Sequence, residues 1–336
     1  MLQKLLNLAL LALITALSCS QPTDGDGQDY DCLPPFDAWA SWSPDGRYIT
    51  YTWRALDTLS IFRYGPRSVW MYDTQSGSCG FLVGPGLFPK WNPQGNILAF
   101  NWGQAIYFYY PDSRYVKRVT NVGEVYEFNW SYNGAEIIFN GLYTGGYGAI
   151  IIDTLGNKVR NVLPANYPVA GVGVWSRYGD QILLPVWDSL THGSVILVDT
   201  LGNFIREVLP YQGLGLGDEP SWSQDESRFA ADVLYPDDNG VITSEVRIYD
   251  IEGHLISYLS DGGYAKWSPA DSQLAFQRVT VMIPPPDRYN PGCSRVTIWT
   301  CNADGSDMHE LLGWPQPEYD SAMFDGGYNW LNPPPP

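Results

Sequence analysis

The chain has 336 residues and a formal net charge of −17, from 36 acidic and 19 basic side chains. A surface this acidic repels phosphate backbones, so nucleic acid is excluded as an expected partner. The length is large for one conventional hydrophobic core, which directs attention to repeated units.

The first eighteen residues have the pattern of an export signal. Lys4 supplies a positive charge, and the apolar run from Leu5 to Leu17 is broken only by Asn7 and Thr15. Thirteen residues are too few for a comfortable membrane span and fit the apolar region of a signal peptide. No later segment approaches the eighteen apolar residues of a spanning helix.

The signal ends in Ala16-Leu17-Ser18-Cys19, which resembles the lipobox of bacterial lipoproteins. In that family the cysteine is diacylated and becomes the new N-terminus, although the leucine usually lies further upstream than Leu17 does. The resemblance implies lipidation of Cys19, and Ser20 as the next residue implies the outer membrane. The alternative is an ordinary cleaved signal in which Cys19 has no role.

Residues 19–35 are predicted to be the anchor and a flexible tether. The stretch from Ser20 to Asp29 consists of Ser, Gln, Pro, Thr, Asp and Gly, which have almost nothing to bury. No comparable linker follows, so residues 36–336 are expected to form one domain.

A tryptophan-led motif recurs along that domain. Its first copy is Trp42-Ser43-Pro44-Asp45-Gly46, followed by a strand-like run. Successive copies lie 39 to 63 residues apart and begin at Trp42, Trp91, Trp130, Trp175, Trp222, Trp267 and, in truncated form, Trp330.

Each unit predicts four short antiparallel strands. The motif supplies a first strand ending in Trp, a tight turn and a β-branched or aromatic second strand. Third strands are predicted over 68–72, 105–109, 148–152, 194–198, 245–249 and 295–300. About 45 residues per four-stranded unit, without helical periodicity, is typical of a β-propeller blade.

The motif resembles the WD40-like repeats of the TolB family of periplasmic propellers. The resemblance runs from about Phe36 to Asn332. The six sets of second, third and fourth strands predict an all-β fold, a six-bladed β-propeller of four-stranded antiparallel blades. Trp330 would add one extra first strand near the ring closure. Seven blades are the alternative, which would need about three more strands after Trp330 than the chain provides.

Four cysteines remain if Cys19 is acylated, and an even number in an exported chain allows two disulfides. Cys293 and Cys301 flank one strand and would lie about 26 Å apart, too far to pair. The expected face of each residue predicts Cys32–Cys293 and Cys79–Cys301 as links across the closure. Unpaired or differently paired thiols are the alternative.

Binding is expected on the face that carries the long loops between second and third strands. Trp53, Trp102 and Trp187 end second strands there and could form a stacking platform, or could pack between blades instead. Asp218 and Glu219 belong to a set of acidic residues that precede the motif and would line a negative channel mouth.

The predicted function is a binding scaffold for an envelope protein, an extended peptide or a glycan, with membrane contact through the lipid alone. No cofactor or metal is predicted, because His192, His254 and His309 belong to different blades. The rival prediction is a hydrolase or lyase that acts on carbohydrate with carboxylates or a metal in the channel.

Overall fold

The computed structural model describes residues 39–56, 64–120, 123–143, 146–187, 193–210, 215–216, 219–236, 242–260, 262–270, 272–283 and 293–312. Within them lie six sheets, each with four antiparallel strand positions, arranged as the blades of a propeller. The predicted fold and number of blades are therefore confirmed. The described residues include no helix long and apolar enough to span a membrane.

Blades 1 to 3 follow the chain, each from an inner first strand to an outer fourth strand. The strands of blade 1 are β1 (Ser41–Trp42), β2 (Tyr48–Leu56), β3 (Tyr64–Asp73) and β4 (Cys79–Val83). The strands of blade 2 are β5 (Leu87–Trp91), β6 (Leu98–Trp102), β7 (Ala105–Tyr110) and β8 (Tyr115–Arg118). The strands of blade 3 are β9 (Glu124–Trp130), β10 (Glu136–Tyr143), β11 (Gly146–Asp153) and β12 (Lys158–Asn161).

Blades 4 and 5 differ only in that the inner strand is split into two short segments. The strands of blade 4 are β13 (Val169–Ala170), β14 (Val174–Trp175), β15 (Gln181–Trp187), β16 (Gly193–Asp199) and β17 (Phe204–Leu209). The strands of blade 5 are β18 (Gly215–Leu216), β19 (Ser221–Trp222), β20 (Arg228–Pro236), β21 (Ile242–Asp250) and β22 (Leu255–Ser260). The strands of blade 6 are β23 (Gly262–Trp267), β24 (Gln273–Ile283), β25 (Cys293–Asn302) and β26 (His309–Leu312).

The residue after each motif tryptophan explains why the motif forms a turn. In blade 3 the buried Ser131 Oγ accepts a hydrogen bond from the Glu136 backbone N–H at 2.9 Å and donates to Asn133 Oδ1 at 2.9 Å. One short side chain thus provides a hydrogen-bond acceptor for a backbone N–H that the pairing of the first and second strands leaves without one. The same bond to the N–H five residues on is made by Ser43, Asn92, Ser131, Ser176, Ser223 and Ser268.

Glycines in the turns between third and fourth strands let neighbouring blades approach closely. Gly202 has φ +89°, and a Cβ there would lie 2.9 Å from Cα of Val162 in blade 3. Gly253 has φ +88°, and a Cβ there would lie 2.2 Å from the carbonyl oxygen of Val208 in blade 4. Each turn is therefore seated against the outer strand of the preceding blade.

The core is divided among the six seams between blades. Six apolar clusters of the described residues combine side chains of neighbouring blades, and the cluster between blades 2 and 3 also includes Trp39 of blade 1. Ring closure is among them, because Tyr51 of blade 1 packs in one cluster with Ala275 and Ile298 of blade 6. The Trp39 backbone N–H also donates to Gln277 Oε1 at 3.5 Å across this seam.

The predicted disulfide between Cys79 and Cys301 is wrong, because both are buried cysteines outside any disulfide and they lie at different seams. Side chains alternate between the two faces of a strand, so Ile298 and Cys301 point to opposite faces of β25. Ile298 packs at the seam with blade 1 beside Cys79, whereas Cys301 packs at the seam with blade 5. Cys32 lies outside the described residues, so its predicted pairing with Cys293 stays a prediction.

Candidate functional site

The three tryptophans predicted to form a stacking platform have different surroundings. Trp53 is only 6% exposed and packs in the seam between blades 1 and 6, with its ring 6.1 Å from that of Trp70. Trp187 is half-buried and packs at the seam between blades 4 and 5. Trp102 is 37% exposed and lies against Tyr107.

A shared platform is therefore wrong for Trp53, because β2 directs this side chain into the seam. The alternative, packing between blades, accounts for Trp53 and Trp187. Most of the long loops lie outside the described residues, at 57–63, 188–192, 237–241 and 284–292. Binding on the long-loop face stays a prediction.

Glu219 lies in the central channel rather than at an open acidic mouth, and Asp218 lies outside the described residues. The buried carboxylate of Glu219 pairs with Lys90 of blade 2 and lies 2.5 Å from Nζ of Lys266 of blade 6. Blades 2 and 5 face each other across a ring of six, so the pair between Lys90 and Glu219 bridges the channel. In the channel, the negative charge of Glu219 is therefore offset by Lys90 and Lys266.

The ion pairs belong to a network that joins most of the ring. Lys90 Nζ also donates to Asn129 Oδ1 of blade 3 at 2.8 Å, and Asn129 Nδ2 donates to the Gly173 carbonyl of blade 4 at 3.1 Å. Together with Glu219 and Lys266, these bonds connect the inner parts of blades 2 to 6. Buried charges are tolerated only when they are paired and hydrogen-bonded in this way.

Blade 1 joins the channel through aromatic contacts. The Trp39 ring centroid lies 4.4 Å from that of Phe88 in blade 2 and 6.2 Å from that of Tyr264 in blade 6. All three residues have positive φ, at 38°, 52° and 54°, and each lies three residues before a motif tryptophan. Blades 3 and 5 carry Glu127 and Glu219 at the same repeat position. The channel thus has an aromatic side and an acidic side.

The channel charges shift one another's pKa values. Burial alone would raise the pKa of Glu219, but the charges of Lys266 and Lys90 outweigh it and lower the pKa to about 2. Burial lowers the pKa of Lys90 to about 8, against the opposing charge of Glu219. Both groups are therefore charged at neutral pH, and the carboxylate of Glu219 holds no proton to donate.

Asp232 of β20 lies beside this network and behaves in the opposite way. Burial raises the pKa of its carboxyl to about 6, although it accepts a 2.6 Å hydrogen bond from the Tyr264 backbone N–H. Asp232 is ten residues after its motif tryptophan. In several blades the side chain at this position of the repeat forms a hydrogen bond with the next blade. The side chains that do so are Thr52, Asn101, Asp232 and Gln277.

Two residues of the channel, Lys90 and Lys266, were missed by sequence reasoning. Lys90 and Lys266 each directly precede a motif tryptophan, and the last residues of the inner strands line the channel. Examining positive as well as negative residues at these positions would have found both lysines. No group of three or more His, Cys, Asp or Glu side chains suited to a metal lies within the part of the chain that the structure describes.

Apolar side chains are exposed on the outside of three consecutive blades. They lie on the fourth strands and preceding turns of blades 3 to 5 and are 43% to 71% exposed. We call these residues the outer-strand patch: Leu155, Val159, Leu201, Phe204, Ile205, Leu255, Ile256 and Tyr258. The turns at Gly202 and Gly253, which carry or adjoin Leu201 and Leu255 of the patch, each approach the preceding blade closely.

The described fourth strands of blades 1, 2 and 6 differ from this pattern. In β4 no side chain is exposed, and in β8 Tyr115 is the exposed aromatic. Exposed apolar area is therefore concentrated on one half of the ring. Contiguous patches of this kind mark interaction surfaces in soluble proteins.

Neither protein-family models nor the curated proteins match the chain. Among solved structures it is similar to TolB from Acinetobacter baumannii, at a TM-score of 0.53 and 21% identity, covering 70% of this chain and 58% of that one. A protein assigned as TolB in Agrobacterium tumefaciens has a TM-score of 0.57 and 16% identity, covering 73% and 88%. An oligogalacturonate lyase in complex with manganese has a TM-score of 0.54 and 12% identity, covering 82% and 76%.

At these identities the similarities are similarities of fold. The chain spans less than two thirds of the Acinetobacter TolB. The resemblance of the repeats to those of TolB-like propellers is confirmed at the level of the six-bladed fold.

Proposed function

We propose that this chain is a lipid-anchored propeller of the cell envelope that binds a partner protein through the outer-strand patch. The observation that carries the proposal is the concentration of exposed apolar side chains on blades 3 to 5. Burying such residues against a partner contributes roughly 25 cal/mol for each Å² of apolar surface removed from water.

The polar groups around the patch support an apolar partner surface. Arg160 forms a two-point pair with Glu136 at 3.0 Å, and Arg206 lies 3.8 Å from Glu252 while donating to the Ile251 carbonyl. These cations are already paired within the chain. Recognition would therefore depend on the exposed Phe204, Ile205 and Ile256 rather than on charge.

The envelope location rests on the signal-like residues 1–18, on Cys19 and on the fold shared with TolB proteins. Replacing Cys19 with Ala should release the protein from the membrane fraction, because two or more acyl chains are needed for stable anchoring. Fractionation of cells followed by immunoblotting measures this. A variant that stays with the membranes would contradict lipid anchoring at Cys19.

The binding proposal is tested by photo-crosslinking in intact cells, with a photoreactive residue at position 205 or 256. Both positions should yield the same adduct with one protein. Position 115 is the matched control, because Tyr115 is equally exposed on an outer strand but lies in blade 2. Equal adducts at position 115, or none at 205 and 256, would reject the patch as the binding surface.

The alternative is an enzyme that acts on carbohydrate in the channel. It would use Glu219, whose carboxylate is paired with Lys90 and Lys266 and whose pKa of about 2 suits neither a general acid nor a base near neutral pH. The contacts of Glu219 therefore favour the binding proposal.

A further inference from the structure

A cavity of about 240 Å³ lies between blades 3 and 4, on the side of the motif turns. It is lined by residues of two motif turns, by Trp175 at the end of β14 and by Arg160 of β12. The channel residues Lys90, Glu219 and Lys266 are not among its lining residues. Its volume suits one sugar ring or a ligand of similar size.

The turns that form the cavity depart from the repeat. Blades 1, 2 and 6 have proline after the first turn residue, at Pro44, Pro93 and Pro269. Blade 3 has Tyr132 at this position, and blade 4 has Arg177 followed by Tyr178. The turn hydrogen bonds of Ser131 and Ser176 are made without these side chains. The turn therefore does not require them, yet all three line the same cavity.

Arg177 is an oriented cation at the mouth of the cavity. Its Nε donates to the Tyr132 hydroxyl at 3.1 Å, and its guanidinium carbon lies 5.6 Å from the centre of the Tyr132 ring. Its backbone N–H donates to the Glu226 carboxylate. Among the described residues no carboxylate forms an ion pair with this guanidinium, in contrast to Arg160, which Glu136 neutralises.

Aromatic rings border the same opening. Tyr178 is 83% exposed, the highest value among the large apolar and aromatic side chains that the structure describes, and Tyr132 is also exposed. Exposed tyrosines offer a flat apolar face with a polar edge, which suits the face of a sugar ring. Arg177 Nη1 also donates to the Gln224 carbonyl at 3.4 Å, so the Nη2 donors are the ones that can meet a carboxylate, which the planar guanidinium suits.

We propose that this cavity binds a single carboxylate-bearing sugar residue, a uronic acid, with Arg177 holding the carboxylate and Tyr178 and Tyr132 flanking the ring. The cavity shares no residue with the outer-strand patch, although Arg160 and Thr200 directly adjoin Val159 and Leu201 in sequence, so the inference goes beyond the proposed function and does not depend on it. A small carboxylate without a ring shares part of this chemistry, and the test distinguishes the two.

The test is a titration of the purified full-length protein with D-glucuronic acid, observed by saturation-transfer NMR and calorimetry. D-glucose lacks the carboxylate, and acetate lacks the ring. Glucuronate should bind, glucose should bind at least tenfold more weakly, and acetate should not displace glucuronate at equal concentration. Arg177→Gln should weaken glucuronate binding about tenfold or more, since a charged hydrogen bond is lost.

The matched control is Arg206→Gln, which removes the blade 4 counterpart of Arg160 outside the cavity and should change the affinity less than twofold. Tyr178→Ser should also weaken binding without altering the unfolding midpoint. No binding of glucuronate, or equal binding by the wild type and Arg177→Gln, would overturn the proposal. Equal binding of glucose would show that the carboxylate is not recognised, and full displacement of glucuronate by acetate would show that the sugar ring is not recognised. Either result would overturn the proposal of a uronic acid site.

Discussion

At the scale of single residues, Asp232 is a carboxyl for which the effect of burial outweighs the attraction of nearby groups, so its pKa is raised. Its folded-state pKa is about 6, whereas an unfolded aspartate has a pKa near 3.9. Between these pH values the native state binds more protons than the unfolded chain, so the contribution of Asp232 to stability rises as the pH falls from about 6 to 4. Glu219 behaves in reverse, because its lowered pKa removes stability as the pH falls from about 4.5 towards 2.

Asp232→Asn should therefore raise the free energy of unfolding at pH 7 by about 2 kcal/mol. Asparagine keeps an acceptor oxygen for the Tyr264 N–H and removes the buried charge. The gain should disappear below about pH 4, where the wild-type carboxyl is protonated in both states. Urea titrations from pH 3.5 to 7.5 measure the difference.

The control for this prediction is Asp112→Asn, at an exposed position of the turn before β8, which should change stability by less than about 0.5 kcal/mol. A lower stability of Asp232→Asn at pH 7 would mean that the carboxylate is needed as a charge beside Lys266. The burial argument would then fail.

At the scale of elements, the motif turn is stabilised by a side chain that spans its base. The hydroxyl of Ser131 accepts from one end of the turn and donates within it, and it is buried. The fold repeats this bond in all six blades with serine or asparagine. The motif therefore encodes the reversal between the first two strands of a blade.

Ser131→Ala should lower the free energy of unfolding by about 1 to 2 kcal/mol, because the Glu136 N–H loses its acceptor at the partly buried base of the turn. Ser113→Ala is the matched control, since Ser113 is exposed in the turn before β8. Chemical denaturation of both variants gives the comparison. Equal stability of the two would show that water replaces the hydroxyl in the turn.

At the scale of the whole molecule, stability depends on six seams, and Cys79 and Cys301 report on different ones. Cys79 lies in the seam between blades 1 and 6, and Cys301 in the seam between blades 5 and 6. Burial raises the pKa of both thiols, to about 11 for Cys301. Thiolate is the reactive form, so alkylation should require opening of the seam.

Ile298→Ala should speed the alkylation of Cys79 at least tenfold, because it leaves a cavity at the closure seam. Ile248→Ala is the matched variant at the other seam and should speed the alkylation of Cys301 instead. Iodoacetamide labelling at pH 8 with peptide mapping measures both rates. If each variant increases the alkylation rates of both cysteines equally, the ring opens as one unit and the seams do not open separately.

Local patterns in the sequence determined the number of blades, the position of the third strands and the turn chemistry. Those features depend on residues within about 45 positions of one another, such as Trp42 and the turn that follows it. The repeat also predicted Glu219 at a negative channel mouth, but its pairing with Lys90 and Lys266 was not evident from the sequence.

Only the tertiary structure decided which side chains meet across the ring. Lys90 and Glu219 are 129 residues apart and pair because blades 2 and 5 face each other. The tertiary structure likewise decided into which seam the side chains of Trp53 and Cys301 point. Strand alternation alone shows only that neighbouring side chains lie on opposite faces of the strand. The outer-strand patch emerges in the same way, because it forms only when three distant stretches of chain become neighbouring blades.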